Sequence, residues 1–527
     1  MKSKLFLLVL LCLTSQAIYS QFAPYTFKLE GTSLKKINDE SPVSNSITDI
    51  IANADTVWLG TSRGVSRTTD RGANWTNYYG DEAFGQENVS ALAYRGGVLW
   101  AATAHSIEKD GQFLSEGSGL RYSTDNGKSW NSIAQPLDKE TDTFVVYGIN
   151  KIRALPVTVA VNNVTYDIAA TNNTIWIATF AGGLRKSTDM GKSWQRVVLP
   201  PDYLNSIKPT DSLKFSLQPV SGKFGSESNL NHRVFSVISI DDSTILVGTA
   251  GGINKSTDGG ISWRKFNHLN QQKPISGNFV VALGYNPVNN TIWAATWKAE
   301  EQSEFYGVSI STDGGETWQT SLNGEKVHNF GFKASEAIAL SDNDAYRTNN
   351  LGVDWIVPNS IIDKETKISL PDGPFYSAAS QGNDVWIGSD KGLARITETN
   401  NGMWNGTWRV FIASQPLESS NDAFAYPNPF SPDVEKVNIK YSTGGIRANV
   451  TIRIFDFGMN LVRTVIQNAE RGNPIHSVEK NSAERNGVID FWDGRDEKGN
   501  LVSNGVYFYR IDVGSNAPIF GKIMVLM

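Results

Sequence analysis

The sequence predicts an all-β protein, a seven-bladed β-propeller followed by a C-terminal β-sandwich. Three observations predict it. A short pattern, Ser/Thr-x-Asp-x-Gly-x-x-Trp, recurs along the chain. A strand-like run precedes each copy at a blade-sized interval. Beyond residue 417 the pattern stops and alternating strands of another kind begin.

The pattern is complete at Thr68, Asp70, Gly72 and Trp75. It returns at Ser123, Asp125, Gly127 and Trp130, and at Ser187, Asp189, Gly191 and Trp194. Two further copies are Ser256, Asp258, Gly260, Trp263 and Ser311, Asp313, Gly315, Trp318. A sixth is worn, with Asn350 in the Asp slot between Thr348 and Trp355. Each residue has a job in a strand-turn-strand unit. The carboxylate accepts N–H groups of the turn, the glycine takes a positive φ, and the hydroxyl bonds the same turn. The tryptophan leaves the turn and buries its ring against a neighbour.

The runs before the boxes are centred on Trp58, Trp100, Trp176, Leu246, Trp293, Ile338 and Trp386. Most intervals match the roughly 40–50 residues of a four-stranded blade, and two carry insertions of about 25–30 residues. Seven markers predict seven blades over residues 25–417. The outer strand of the last blade comes either from Trp408–Ile412 or from Tyr25–Leu29. Arg67, Arg121, Arg185, Arg347 and Arg395 share one slot beside the boxes and read as scaffold.

Composition supports a packed, exported chain. Of 527 residues, 40% are hydrophobic and 19% charged, enough apolar side chain for a core. The net charge of −5, with no basic block, gives nucleic acid nothing to bind. Residues 1–20 read as a signal peptide: Lys2 and Lys4, then a short apolar run, then Ser20 before Gln21. The run is too short to span a bilayer, and no transmembrane segment is expected in the mature chain. The one cysteine, Cys12, lies inside it, so the mature chain has no thiol chemistry.

The boxes resemble those of the Asp-box propellers, the bacterial neuraminidase repeat family. That family spans sialidases, xyloglucanase-type glycosidases, the sortilin ectodomain, photosystem assembly factors and many secreted proteins of unknown role, so the box marks fold rather than function. The resemblance puts each box at the turn between the two outer strands of a blade, away from the ligand face. It makes Asp70, Asp125, Asp189, Asp258 and Asp313 structural, together with Trp75, Trp130, Trp194, Trp263 and Trp318.

Residues 418–425 read as a linker and 426–527 as a separate module. The module resembles the Ig-like domain of the flagellar hook-capping protein, through Trp492-Asp493-Gly494-x-Asp496-x-x-Gly499 and Gly505-Val506-Tyr507-x-Tyr509. It also resembles type IX secretion sorting domains, through Tyr426-Pro427-Asn428-Pro429 and a final strand with Lys522. The resemblance implies a sorting or surface-attachment role, with the type IX machinery as a partner. Asp493 and Asp496 read as a satisfied turn rather than a cation site.

No catalytic constellation stands out. A sialidase needs an arginine cluster, and only Arg233 is placed like one of its members. Acidic residues cluster at Glu108, Asp110, Glu116 and at Glu300, Glu301, Glu304, where solvated loop charge is the default. Five histidines show no metal-ligand spacing, and neither a metal nor a cofactor is expected. The first reading is a secreted or surface-displayed binding or scaffold module for a glycan or an extracellular protein. A glycoside hydrolase and a structural surface component are the alternatives. Surplus residues fall at Ala104–Ser118, Gln135–Val164, Pro200–Asn231 and Trp297–Tyr306, expected together on the face opposite the boxes. Within or beside them His105, His232, Arg233, Trp297 and Tyr306 are the candidate ligand contacts, among further aromatics Tyr147, Tyr203, Phe215, Phe224 and Phe305.

Overall fold

The computed structural model describes residues 41–218, 229–364, 368–370, 373–399, 402–413, 417, 423–433, 436–444, 446–472 and 488–527. The expected signal peptide, Tyr25–Leu29, Phe224 and residues 418–422 lie outside the described residues. Among the described residues the chain is almost entirely strand and turn, and no helix is long and apolar enough to cross a membrane.

One antiparallel meander repeats. β1 (Ile47–Asn53), β2 (Thr56–Thr61), β3 (Val65–Thr68) and β4 (Thr76–Tyr78) pair in chain order. β5 (Asn88–Arg95), β6 (Val98–Lys109), β7 (Gln112–Ser123) and β8 (Asn131–Ile133) do the same. The hairpin of β9 (Phe144–Tyr147) and β10 (Asn150–Ala154) precedes a third meander. Its strands are β11 (Thr165–Ala170), β12 (Ile175–Thr179), β13 (Gly183–Ser187) and β14 (Gln195–Arg196). Short β15 (Ser206–Ile207) and β16 (Ser216–Leu217) lead to β17 (Val234–Ser239), β18 (Ile245–Thr249), β19 (Gly252–Ser256) and β20 (Trp263–Phe266). The fifth meander is β21 (Phe279–Asn286), β22 (Thr291–Trp297), β23 (Gly307–Ser311) and β24 (Gln319–Ser321). The sixth has three strands, β25 (Val327–Lys333), β26 (Glu336–Ser341) and β27 (Ala345–Thr348). The seventh is β28 (Phe375–Gln381), β29 (Asp384–Ser389), β30 (Leu393–Glu398) and β31 (Gly406–Phe411).

The burial of these strands explains their composition. β2, β12, β18 and β29 are buried at every residue, which demands the continuous apolar runs seen there rather than alternation. First strands β5, β11, β17, β21, β25 and β28 share a register shift near the start. The extra residue is Ser90, Tyr166, Phe235, Val281, His328 or Tyr376, a repeated bulge that side-chain pattern alone does not reveal.

The described chain divides into two compact units. One comprises Gly60–Val65 and Tyr78–Lys326; the other comprises 41–59, Ser66–Asn77 and Val327–Met527. In the first, successive meanders share cores. Trp176 and Trp263 belong to one cluster with Leu184, Val237 and Val247, and Trp318 to another with Leu246 and Ile292. The two long inserts add a layer here. β16, β10 and β9 form their own sheet, β15 extends the fourth meander beyond β20, and Ile152, Ala154, Ile207 and Leu217 join the Trp176 core.

In the second unit the first meander meets the seventh. Trp75 stands edge-on to Trp386 and Phe411, with ring centroids 6.2 and 5.8 Å away. Arg71 forks onto the buried Asp384 carboxylate at 2.6 and 2.7 Å. The outer strand of the seventh meander is β31, the Trp408 segment. Glu398, near the lost seventh box, is buried and paired with Arg347 and Lys333.

The same unit carries β32 (Ala423–Tyr426), β33 (Val437–Tyr441), β34 (Ala448–Phe455), β35 (Leu461–Arg471), β36 (Val488–Trp492), β37 (Gly505–Val513) and β38 (Ile519–Val525). The sheets β32-β33-β36 and β35-β34-β37-β38 enclose one core of Ile439, Tyr441, Ile452, Ile454, Trp492, Tyr509 and Ile523. β32 starts at Ala423, inside the stretch that reads as linker, because Ala423–Ala425 pair with Ile439–Tyr441. The Tyr-Pro-Asn-Pro segment fastens the final strand. The Asn428 amide donates to Lys522 O at 2.9 Å and its oxygen accepts Met524 N at 2.8 Å. In the Trp-Asp-Gly turn, Asp496 accepts the backbone N–H groups of Lys498 and Asn500 at 2.8 and 2.9 Å.

Candidate functional site

Each of the five complete boxes joins a third strand to a fourth: β3–β4, β7–β8, β13–β14, β19–β20 and β23–β24. Their bonding is nearly identical. Ser256 Oγ donates to Asp258 at 2.7 Å and accepts the Gly260 N–H at 2.8 Å. The residue before the tryptophan, unassigned in the sequence pattern, closes the turn: Ser262 donates its N–H and hydroxyl to Asp258 at 2.9 and 2.5 Å. Ser129, Ser193 and Thr317 do the same, and Asn74 donates through its amide. Bonds from Ser129 and Ser193, led by the side-chain hydroxyls, hold Asp125 and Asp189 down to about 2. Gly260 has φ +79°, and a Cβ there would run into the Trp176 ring. The worn sixth copy keeps the turn with inverted polarity: the Asn350 amide donates to the Asp354 carboxylate at 2.9 Å.

The opposite ends of the meanders, where first strands begin and second strands turn into third, do not repeat. Trp297 ends β22 and Tyr306 precedes β23, with centroids 6.1 Å apart and rings nearly perpendicular. The Lys326 ammonium stacks 5.9 Å from the Trp297 ring and 5.1 Å from Tyr306. No repeat marks Lys326, and sequence reading misses it. Arg233, just before β17, lies 5.5 Å over Phe180. Phe180 in turn meets Phe235, which contacts Tyr166 and Phe279 across neighbouring first strands. Trp297, Tyr306, Arg233 and Phe180 are all partly exposed.

His105 sits on the long β6–β7 hairpin, opposite Glu116 in register. Its Nδ1 is 2.9 Å from Glu87 and its Nε2 3.1 Å from Glu116. Two carboxylates on two ring nitrogens are satisfied only by an imidazolium, which donates from both. Burial alone would lower its pKa; the two carboxylates outweigh burial and raise it. His232 is the opposite case. It is buried, with Nε2 3.3 Å from Leu199 O and Nδ1 without a partner, and burial depresses it to about 3, so the ring is neutral. It lines a small cavity with Gly182, Gly183, Arg196 and Leu217.

The inserts are not gathered on one face. Ala104–Ser118 and Trp297–Tyr306 are second-to-third-strand connections, remote from the boxes along the strands. Gln135–Val164 reaches a box instead: the Tyr147 hydroxyl donates to Ile261 O, within the 256–263 turn, at 2.7 Å. Pro200–Asn231 supplies β15 to the outer edge of β20. The expectation of a single loop face is corrected accordingly. Open outer strands offer backbone pairing that a long polar insert takes up. Of the acidic cluster, Glu304 is buried and ties the backbone N–H groups of Asn278 and Ala299.

Residues 309–320 match the BNR/Asp-box repeat. No curated protein matches the chain. Among solved structures it is similar to PorZ, an essential surface component of the type-IX secretion system of Porphyromonas gingivalis. The identity is 15% over 92% of this chain and 66% of that one, with a TM-score of 0.39. It is similar to an ancestral GH74 enzyme, at 15% identity over 93% of this chain and 63% of that one, TM-score 0.48. YCF48 from Cyanidioschyzon merolae gives 12% identity over 67% and 92%, TM-score 0.38. The chain therefore spans less than two thirds of the length of PorZ and of the GH74 enzyme. It is an all-β protein of small antiparallel sheets carrying a BNR/Asp-box repeat.

Proposed function

We propose that the chain is an exported, surface-displayed binding module: a seven-bladed propeller over residues 25–417 and an Ig-like sorting or attachment domain over 426–527. Its ligand is a glycan or an extracellular protein, bound where first strands begin. The observation that carries this reading is the contrast between identical box turns and individual opposite ends. Partly exposed aromatics backed by cations, Trp297 and Tyr306 with Lys326 and Phe180 with Arg233, stand at these opposite ends. Such faces stack on sugar rings or on a partner's side chains.

A glycan array with the mature protein tests the reading. Trp297→Ala with Arg233→Ala is expected to weaken binding at least about tenfold, roughly 1.4 kcal/mol, with the melting temperature nearly unchanged. Normal binding by the double variant sinks the site. For the C-terminal domain, deletion of 426–527 is expected to abolish surface display of a still folded propeller. Unchanged display reduces the domain to a spacer.

A further inference from the structure

The β9–β10–β16 sheet ends in an edge, β9, whose outward backbone groups meet no partner among the described residues. Other outer strands are short, as in β8, β14 and β24 with three residues or fewer. Some are covered: β31 receives Lys364 N on Trp408 O and gives Val410 N to Asp363. The edge of β38 is tacked down by Asn428 and Phe430. β35 is broken by three register shifts. Among the described residues β9 has none of these protections. It has no proline, no bulge and no charged residue among Phe144, Val145, Val146 and Tyr147.

Register shows which of its backbone groups are free. Val145 and Tyr147 lie opposite Ile152 and Asn150, and Thr143 O accepts the Ala154 N–H at 2.8 Å. In an antiparallel pair alternate residues turn their N–H and C=O to the partner. Thr143, Val145 and Tyr147 face β10, so Phe144 and Val146 point theirs outward. Val145 and Tyr147 pack on the core beneath, while the Phe144 and Val146 side chains are 50% and 76% exposed on the outer face. Around them Ile149 at the turn and Ile261, whose carbonyl holds Tyr147, are 73% and 54% exposed.

We propose that β9 is a docking edge for β9 of a second copy of this chain, antiparallel about a two-fold axis. Only this arrangement sets the free groups of Phe144 against those of Val146 of the second copy, and the reverse. The two pairs close four backbone hydrogen bonds, with Val145 facing its equivalent in the pair between them. Phe144 then lies beside Val146 of the second copy on the outer face, the aromatic and β-branched combination that stabilises cross-strand pairs. Lys151, stacked over Phe144 at 4.4 Å, and Arg153 are one strand further in, which keeps like charges of the two copies apart. A single strand pair buries less than a standard interface, so the dimer is expected to be weak and concentration-dependent.

Analytical ultracentrifugation of the full mature chain over a concentration series tests this, with Val146→Lys and Val146→Pro alongside. Proline removes the outward N–H; lysine leaves the backbone intact and places a charge on the pairing face. The wild type is expected to dimerise, and both variants to weaken dimerisation roughly tenfold or more. Val146→Lys should melt like the wild type, so loss of dimer is not loss of fold. A wild type that stays monomeric throughout overturns the proposal, as does a dimer that survives Val146→Lys.

Discussion

The two ends of a meander obey different rules. At the box end, turns in five meanders share the same bonds to within a few tenths of an ångström, and even the worn copy keeps the geometry by exchanging donor for acceptor. At the other end one meander carries a histidine clasped by two glutamates, another an arginine over phenylalanine, another a lysine over tryptophan and tyrosine. Where each group's partner lies within four residues, the local chain determines the geometry and can be copied. Where partners come from other strands and loops, each site is separate and free to specialise.

The strongest break of this comparison is expected at a box tryptophan. Trp263→Ala empties a buried core position and should cost about 3–5 kcal/mol in chemical denaturation, whereas Trp297→Ala should cost within about 1 kcal/mol. Equal losses would erase the distinction between scaffold and site. Next is Ser256→Ala, which strips partners from Asp258 and the Gly260 N–H and should cost about 1–3 kcal/mol. The worn copy offers a double-mutant cycle. Asn350→Asp alone sets two carboxylates face to face and should lose several tenths to about 1 kcal/mol; adding Asp354→Ser restores the common polarity and should recover it. Additive effects would show that the two side chains do not communicate.

The smallest effect separates the ends by pH. Asp125 and Asp189, at about 2 against an ordinary 3.8, contribute stability that is present above 3.8 and lost as pH falls through about 2. His105 is raised above 6.5, so its clasp is fully formed below 6.5 and is lost as pH rises through the raised value. Melting temperatures across pH should therefore fall on both limbs. His105→Gln should flatten only the alkaline one; an unchanged alkaline limb would remove the clasp.

Particular residues show how much was legible beforehand. The buried second strands, the five complete boxes and the C-terminal alternation follow from apolar period and turn chemistry, which act over a few residues. Ser262 and its equivalents form no pattern in the sequence because Ser, Thr and Asn share the slot, and only their bonds reveal one role. Lys326 and Phe180 lack any repeat. The sequence offers both His105 and His232 as ligand contacts, yet one is a clasped cation and the other a buried neutral ring. An imidazole's charge depends on carboxylates and burial supplied by distant residues.

By itself, then, the sequence determined the strand-turn-strand unit, the number of times it is attempted and the change from boxed repeats to alternating strands near residue 420, because those depend on neighbours along the chain. Tertiary structure alone decided where the inserts go, which strand closes the last meander, which edge stays open and which aromatic finds a cation. Those outcomes depend on what packs across strands, where separation along the chain carries no information.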